Sequence, residues 1–388
     1  MRPVAPDSRR PNRAPRRAAA AAAGLKSAVV VGAGNLGSFL IGLLARLPAI
    51  GRLVIIDRDH YDPSNVRGQD ITMRDVGLAK ASVQARRARR INPALAIEPL
   101  VEPVENVPLG RLRVDAILSC VDSRQTRQYI NTAAWRVGAP LIEAGVLADG
   151  LLARIEVYVP GPAAPCLECG WSEADYAALE QTYACNAGDD TPPPTSAPAS
   201  LGALTAALQA IECEKLLAGQ VQDALVARQV VLDARSHRHF LTALPRNPHC
   251  RFDHRTFGIE RITASPAQLS MAQVLALAPV VRGVHGELTL RVDGKWFLTD
   301  VRCPSCGDVR PAYFRLSGRL PRSEAICAAC GRARVATGID RVERLSMLLP
   351  KSHLARPLSS FGFRCGDVFT LATAEAEAHF EIGAQCAP

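Results

Sequence analysis

The chain has 388 residues, a length that predicts two or three folded domains. Apolar residues make up 48% of it and charged residues 21%, which excludes intrinsically disordered and fibrous proteins. The net charge of +9 falls to about +4 without the six arginines and single aspartate of the first 17 residues, so the basic character lies in a tail and does not predict binding to a specific nucleic acid.

Residues 1–26 are rich in arginine, proline and alanine and lack apolar periodicity, so we expect a flexible arm. Residues 27–45 carry no charge over 19 positions, which is also long enough for a membrane span. The glycines and the strand-like start of this stretch instead favour a buried strand followed by a packed helix, and we expect no membrane segment. Six of the twelve cysteines form C-x2-C pairs, which favours metal binding in a reducing cytoplasm over a secreted disulfide scaffold.

From residue 27 to about residue 150, short apolar runs alternate with helical stretches. This alternation predicts an α/β fold with a doubly wound, mostly parallel sheet. The predicted strands span residues 28–31, 53–57, 96–100, 116–120 and 141–143. A further strand over 151–159 and a helix over 201–217 extend this unit, for which we predict the bounds 27–258. Residues 259–388 are predicted to form a second, β-rich domain with a zinc ribbon at about 298–335.

A glycine loop follows the first predicted strand and opens a helix. Gly32 allows a tight turn, Gly34 lets the backbone approach a phosphate or ribose, and Gly37 lets the helix pack closely on the strand. Asp57 ends the next strand, where a carboxylate accepts hydrogen bonds from ribose hydroxyls. These residues fit a nicotinamide-dependent enzyme as well as an ATP-binding one, and a packed turn without a ligand also stays open.

Five motifs after the glycine loop separate these interpretations. They are Asp57-Arg58-Asp59, Ser64-Asn65-Val66-Arg67-Gly68-Gln69, Val76-Gly77-Leu78-Ala79-Lys80, Ile91-Asn92-Pro93 and Val121-Asp122-Ser123. In the order and spacing of these motifs, residues 27–255 resemble the ThiF/MoeB/HesA family of ubiquitin-activating-like enzymes. The resemblance implies a Rossmann-like adenylation domain that binds ATP and Mg²⁺.

The resemblance also implies roles for the residues of these motifs. Lys80 contacts phosphates, and Asp122 carries Mg²⁺ at the end of a strand. The other nucleotide-binding residues are Asp57 and Asp59, which hold the ribose and the ATP–metal assembly, Asn65, which contacts phosphates, and Gln69. The residues alone leave open that Lys80 is a solvated helix lysine and that Asp122 is a helix N-cap.

One departure from the family concerns the arginine that precedes the glutamine of its second motif. Gly68 occupies that position here, and Arg67 stands one residue earlier. Two outcomes are open: a glycine-permitted backbone twist lets Arg67 act as the catalytic arginine, or the charge stabilisation is impaired. A second departure is the missing N-terminal helix, which in relatives supplies an arginine to the site of the partner subunit.

Two groups of cysteines predict zinc sites. Two C-x2-C knuckles lie 20 residues apart, and each is followed by a glycine, which is the spacing of a structural zinc ribbon. Their residues are Cys303, Cys306, Cys327 and Cys330. Cys166 and Cys169 form a further knuckle, whose site the resemblance completes from residues 247–254. The expected ligands are Cys250 and His254, with Asp253 or His249 as alternatives to the latter.

Cys185 lies just before a proline-rich stretch that is predicted to be a mobile crossover loop. Its segment, Tyr183-Ala184-Cys185-Asn186-Ala187-Gly188, resembles the Cys-x-x-Ala-Gly region in which family members place a cysteine that accepts the activated carboxyl group. The spacing is one residue shorter here, and an exposed loop cysteine without a role is the alternative.

We therefore expect the chain to adenylate the C-terminal carboxylate of a small ubiquitin-like or sulfur-carrier protein, releasing pyrophosphate, with thioester formation on Cys185 as an optional second step. The resemblance implies a homodimer and allows a conjugating enzyme as a further partner. Two other functions stay open. An NAD-dependent oxidoreductase explains the glycine loop and Asp57 but not the later motifs, and a catalytically silent zinc-binding scaffold explains Gly68 as the mark of an inactive site.

Overall fold

The computed structural model describes residues 24–183, 197–277, 288–346 and 349–383. Its N-terminal part contains the strands β1 (Lys26–Val31), β2 (Ile50–Ile56), β3 (Ala96–Leu100), β4 (Ala116–Ser119), β5 (Leu141–Leu147), β6 (Leu152–Tyr158), β7 (Arg228–Asp233) and β8 (Arg238–Ala243). They form one sheet in the order β3-β2-β1-β4-β5-β6-β7-β8. Strands β1 to β5 pair in parallel, and β6 to β8 continue the sheet in antiparallel pairing. The predicted mostly parallel sheet is confirmed.

Among the described residues of this part, the α-helices are α1 (Gly37–Leu44), α2 (Lys80–Ile91), α3 (Arg124–Val137), α4 (Glu173–Tyr183) and α5 (Ala199–Leu217). Alternate side chains of β1 point to opposite faces of the sheet. Ala28 and Val30 belong to the core that includes α1, α2 and α5, whereas Val29 and Val31 belong to the core that includes α3. The sheet is therefore covered on both faces, which explains why its central strands are continuously apolar.

The strand β5 is longer than the predicted 141–143. It continues to Leu147 because it pairs with β6 along its whole length, down to the Leu147–Leu152 pair at the turn. Such pairing is a tertiary event, so the apolar run alone marked only the buried first half of the strand.

The described residues of the C-terminal part form two smaller sheets and three short α-helices. Its strands are β9 (Ile259–Ile262), β10 (Thr289–Arg291), β11 (Phe297–Arg302), β12 (Val309–Leu316), β13 (Arg341–Val342), β14 (Arg344–Ser346), β15 (Val368–Ala372) and β16 (Glu377–Ile382). The sheet orders are β14-β10-β15-β16-β9 and β12-β11-β13. The helices are α6 (Met271–Leu275), α7 (Arg322–Ala325) and α8 (Lys351–Leu354). Phe297, Phe361 and Phe369 lie in one buried cluster that joins the two sheets.

Charged side chains connect the two parts of the chain. Arg136 of α3 is buried and pairs with Asp253 at 2.6 Å and with Asp293 at 2.6 Å. The domain boundary at residue 258 stays a prediction. Within the described ranges, no helix is both long enough and apolar enough to cross a membrane.

Candidate nucleotide-binding site and metal centres

The carboxyl ends of β1, β2 and β4 border a cavity of about 650 Å³. Parallel strands end at the same edge of a sheet, so the residues that follow them converge there. Eight residues predicted from the sequence line this cavity: Gly32, Gly34, Asp57, Asp59, Asn65, Gln69, Lys80 and Asp122. The structure thus brings together positions that span 91 residues of the chain.

The glycine loop turns tightly between β1 and α1. Gly32 has φ +93°, and a β-carbon there would lie 2.6 Å from the carbonyl oxygen of Cys120. Gly34 has no atom within 4 Å of such a β-carbon, so its backbone faces open space in the cavity. Among the described residues, the N–H groups of Gly34, Asn35 and Leu36 have no hydrogen-bond partner. Free amides at the start of a helix favour an anionic group.

The carboxylate of Asp57 is held by backbone amides. Its Oδ2 accepts a hydrogen bond from the N–H of Ala33 at 2.7 Å, and its Oδ1 accepts one from the N–H of Asp59 at 2.8 Å. Burial raises the pKa of Asp57, while these amides and the charge of Lys80 oppose that rise. Asp57 therefore fixes the glycine loop relative to β2, and each of its oxygens keeps a lone pair for a ligand.

Lys80 begins α2, and its side chain points into the cavity. The side chain is 13% exposed, with Nζ 3.4 Å from Oδ2 of Asp59 and 5.9 Å from the centre of the Tyr61 ring. A solvated helix lysine would be far more exposed, so this geometry argues against that alternative. Lys80 places a positive charge in a cavity whose loop amides also favour anions.

Asp122 stands three residues after the end of β4 and lines the cavity. It is exposed, and no hydrogen bond or ion pair connects it to another described residue. The N-cap of α3 is Ser123, whose side chain accepts a hydrogen bond from the N–H of Thr126 at 3.4 Å. The N-cap alternative for Asp122 is therefore wrong, and its carboxylate is available to a ligand.

Asn65 and Gln69 border the cavity from the short 3₁₀ helix Pro63–Arg67 and the turn after it. Oδ1 of Asn65 accepts a hydrogen bond from the N–H of Asp62 at 3.1 Å. Oε1 of Gln69 is buried and has no partner within the described part of the chain. A buried polar atom without a partner is costly, so this oxygen suits a ligand that donates a hydrogen bond.

Arg67 is the predicted catalytic residue that this geometry does not support. It is exposed and does not line the cavity. Gly68 has φ −120° and ψ −4°, a conformation open to other residues, so the expected glycine twist is absent. The carbonyl of Gly68 instead accepts a hydrogen bond from Nδ2 of Asn35 at 2.6 Å. Nδ2 of Asn35 also donates to the carbonyl of Ala197 at 3.1 Å, which ties the glycine loop to the start of α5.

Arg127 was not predicted as a site residue, yet it lines the cavity from the first turn of α3. Its Nη2 donates to the carbonyl of Val121 at 2.8 Å, and its Nη1 lies 2.5 Å from the carboxylate of Glu143. Glu143 is fully buried on β5, and burial raises its pKa while the charge of Arg127 opposes that rise. A cation in the first turn of a helix opposes the helix dipole, and this signal could have drawn attention to both Arg124 and Arg127.

Cys166, Cys169, Cys250 and His254, the knuckle cluster, place their ligand atoms within 4.8 Å of one another. The Sγ atom of Cys166 lies 3.8 Å from that of Cys169 and 3.8 Å from that of Cys250. Nε2 of His254 lies 3.2 Å from Sγ of Cys169, and its Nδ1 contacts the carbonyl of Phe252 at 2.7 Å. The alternative ligand Asp253 instead pairs with Arg136, and the alternative ligand His249 is not part of this group.

Cys303, Cys306, Cys327 and Cys330, the ribbon cluster, also lie within 4.8 Å of one another. The two knuckles have the same backbone pattern, in which the N–H of Gly307 donates to the carbonyl of Cys303 and the N–H of Gly331 donates to that of Cys327. Both glycines have positive φ, 74° and 69°, as the tight turn requires. All seven cysteines of the two clusters are free thiols.

Cys185 lies outside the described residues. Its predicted role as acceptor of the activated carboxyl group therefore stays a prediction.

Comparison with known proteins matches residues 21–252 to the ThiF family. The ubiquitin-like modifier-activating enzyme 5 of Oryza sativa subsp. japonica is 30% identical over 158 residues. The adenylyltransferase and sulfurtransferase UBA4 of Yarrowia lipolytica is 34% identical over 146 residues. Each alignment covers 37% of this chain, and the two cover 37% and 36% of these relatives, so the chain spans little more than a third of their length.

Among solved structures, Escherichia coli MccB bound to succinimide has a TM-score of 0.48 and 21% identity, covering 58% of this chain and 66% of that one. The same protein with ATP has a TM-score of 0.48 and 20% identity, covering 59% and 66%. The family match extends over more than half of the 388 residues, and on that basis the chain belongs to the ThiF family.

Proposed function

We propose that this chain uses ATP to adenylate the C-terminal carboxylate of a small ubiquitin-like or sulfur-carrier protein. The observation that carries the proposal is the cavity at the strand ends. The glycine loop with its free amides, the ammonium of Lys80 and the unpaired carboxylate of Asp122 all line it. Membership of the ThiF family supports the same function. The names of the matched relatives, a ubiquitin-like modifier-activating enzyme and an adenylyltransferase, suggest the substrate class.

The residues present fit a nucleotide and its metal. The free amides of the glycine loop and the ammonium of Lys80 supply donors for phosphate oxygens, and Oε1 of Gln69 supplies a buried acceptor. Asp122 and Asp59 supply the carboxylate oxygens that Mg²⁺ prefers, and these two residues would hold it. When bound, the ion would neutralise charge on the phosphates.

The chemistry would proceed by in-line displacement at the α-phosphorus. A carboxylate oxygen of the carrier forms a bond to the α-phosphorus. The bond between the α-phosphorus and the oxygen that bridges it to the β-phosphorus breaks. Pyrophosphate leaves with the bonding electrons. Lys80 and the loop amides hold the phosphates in place and stabilise their charge, so binding supplies much of the rate enhancement.

Thioester formation would be a separate step. The thiolate of Cys185 would attack the acyl carbon of the adenylate, and AMP would leave. A second copy of the chain and a conjugating enzyme are further parts of the proposal, drawn from the family resemblance. A cytoplasmic location is another part, drawn from the C-x2-C pairs.

We also propose that each cysteine cluster binds one Zn²⁺ ion. Four Zn–S bonds of about 2.3 Å in a tetrahedron give sulfur–sulfur distances of about 3.8 Å. Two of the sulfur–sulfur distances in the knuckle cluster are 3.8 Å, and two of those in the ribbon cluster are shorter, at 3.3 Å and 3.5 Å. Four protein ligands leave no position for a substrate, so both ions would be structural.

The test is ATP–pyrophosphate exchange in the presence of a small ubiquitin-like protein that ends in Gly-Gly. Asp122→Ala should abolish exchange, whereas Cys185→Ala should retain it, because adenylation precedes any thioester. The matched control is Asp149→Ala, which removes an exposed carboxylate in the turn between β5 and β6, away from the cavity. Exchange that survives Asp122→Ala would refute the site assignment.

A silent scaffold is the second candidate function, and the position of Arg67 outside the cavity favours it. Such a protein would not bind Mg·ATP, yet its partner binding would depend on metal. Calorimetric titration with Mg·ATP separates the two candidates, because the adenylating enzyme must bind the nucleotide. Titration with NADH under the same conditions tests the oxidoreductase interpretation.

A further inference from the structure

The nucleotide cavity has an excess of negative charge. Six carboxylates line it, against three side chains of lysine and arginine and the imidazole of His60. The carboxylates are those of Asp57, Asp59, Asp62, Glu102, Glu105 and Asp122, and the basic residues are Arg58, Lys80 and Arg127. ATP is itself a polyanion, so each unneutralised carboxylate in the wall opposes its binding. A carboxylate that does not hold the metal therefore opposes ATP binding less when a cation neutralises it.

Glu102, which follows β3, receives such a cation from the C-terminal part of the chain. Nη2 of Arg364 lies 3.0 Å from Oε2 of Glu102, and Nη1 lies 3.2 Å from Oε1. The pair is thus bidentate, the geometry that makes arginine–carboxylate bonds strong. Arg364 itself does not line the cavity, and it also donates a hydrogen bond to the carbonyl of Asn106.

The backbone around Arg364 is fixed in the C-terminal part. The N–H of Arg364 donates to Oδ2 of Asp367 at 2.6 Å, and Asp367 is 2% exposed. The N–H of Gly110 donates to the carbonyl of Gly366 at 2.8 Å. Nζ of the buried Lys295 donates to the carbonyl of Glu105. Contacts with Lys295, Arg364 and Gly366 of the C-terminal part therefore hold residues 102–110 in place.

We propose that Arg364 is a positioning residue of the nucleotide site, acting through Glu102. It neutralises this carboxylate and turns it toward the C-terminal part, so that residues 259–383 complete the nucleotide site within the same chain. The proposal rests on the proposed function, because it assumes that the cavity binds ATP.

Calorimetric titration of the full chain with Mg·ATP tests the proposal. The side chain of Arg364 is 41% exposed, so solvent screens the pair and we expect Arg364→Ala to weaken ATP binding by about fivefold. Adding Glu102→Gln should restore affinity, because it removes the carboxylate that the arginine had neutralised. In pyrophosphate exchange, Arg364→Ala should raise KM for ATP and leave kcat unchanged. Arg344→Ala is the control, since Arg344 is exposed and pairs only loosely with Glu343 at 3.9 Å.

Two results would overturn the proposal: wild-type affinity in Arg364→Ala, or a double variant that binds as weakly as Arg364→Ala, which would make the role purely structural. If Arg364→Ala does not fold, Arg364→Lys replaces it. The lysine loses the bidentate pair, so Glu102→Gln should again strengthen binding, and equal affinities would contradict the inference. A wild-type chain that does not bind Mg·ATP would instead refute the proposed function.

Discussion

A β-carbon added to Gly37 would lie 1.9 Å from the carbonyl oxygen of Gly32. The first turn of α1 thus rests directly on the turn of the glycine loop, and both glycines are needed for the backbones to approach. Gly34, between them, has no atom within 4 Å of its β-carbon position. One loop therefore contains a glycine that packing requires and another that only a ligand would require.

This difference predicts that one of two matched substitutions lowers stability and the other weakens ATP binding. Gly37→Ala should lower the free energy of unfolding by about 3 kcal/mol or more, because the new methyl group meets a main-chain atom that cannot move aside. Gly34→Ala should fold normally but weaken Mg·ATP binding, because its methyl group enters the cavity. Thermal denaturation and calorimetric titration measure the two effects. Equal melting temperatures for the wild type and Gly37→Ala would contradict this packing argument.

The two cysteine clusters predict a metal content of two zinc ions per chain. Cys169→Ser and Cys327→Ser should each lower the content to one, since each removes a ligand from a different cluster. Inductively coupled plasma mass spectrometry of the purified variants measures this content. Cys213→Ala is the control, because Cys213 is a free cysteine outside both clusters. A content of one zinc ion in the wild type would show that one of the two cysteine clusters does not bind zinc.

His379 predicts a pH dependence of stability. It is buried on β16, stacks on Phe257 at 3.7 Å and contacts Oγ1 of Thr370 through Nδ1 at 2.9 Å. Burial lowers the pKa of His379, although Glu377 opposes this. The unfolded chain takes up a proton near pH 6.5 that the folded chain resists, so this residue costs stability as the pH falls below that value.

When the pH is lowered from 7.5 to 5.5, the free energy of unfolding should therefore fall less in His379→Gln than in the wild type. Urea denaturation at the two pH values gives the two differences, and other titrating groups cancel in the comparison. An equal loss in the variant and the wild type would show that His379 does not titrate differently on folding.

Much of the site could be predicted from sequence because its residues follow strands. Gly32, Asp57 and Asp122 each stand at or just after the end of a strand in a parallel sheet, and the topology brings strand ends to one edge whatever the details of packing. The ribbon cluster was predictable for a similar reason, since each knuckle is a local turn. Both features depend on short stretches of chain.

Packing between distant segments decided the rest. Local spacing placed Arg67 near the site, but the contact of Gly68 with Asn35 leaves Arg67 facing solvent. Arg127 faces the cavity because its guanidinium is held by Val121 and the buried Glu143.

The family, the sheet and most of the residues at its edge could be predicted from local sequence patterns, because strands and loops are specified over a few residues. Which charges neutralise one another depends on how distant segments pack. Arg364 and Glu102 are 262 residues apart in the chain. Glu102 follows β3 of the large N-terminal sheet, whereas Arg364 precedes β15 in the C-terminal part. No local sequence pattern predicts such a pair, since the two side chains meet only where the N-terminal and C-terminal parts pack together.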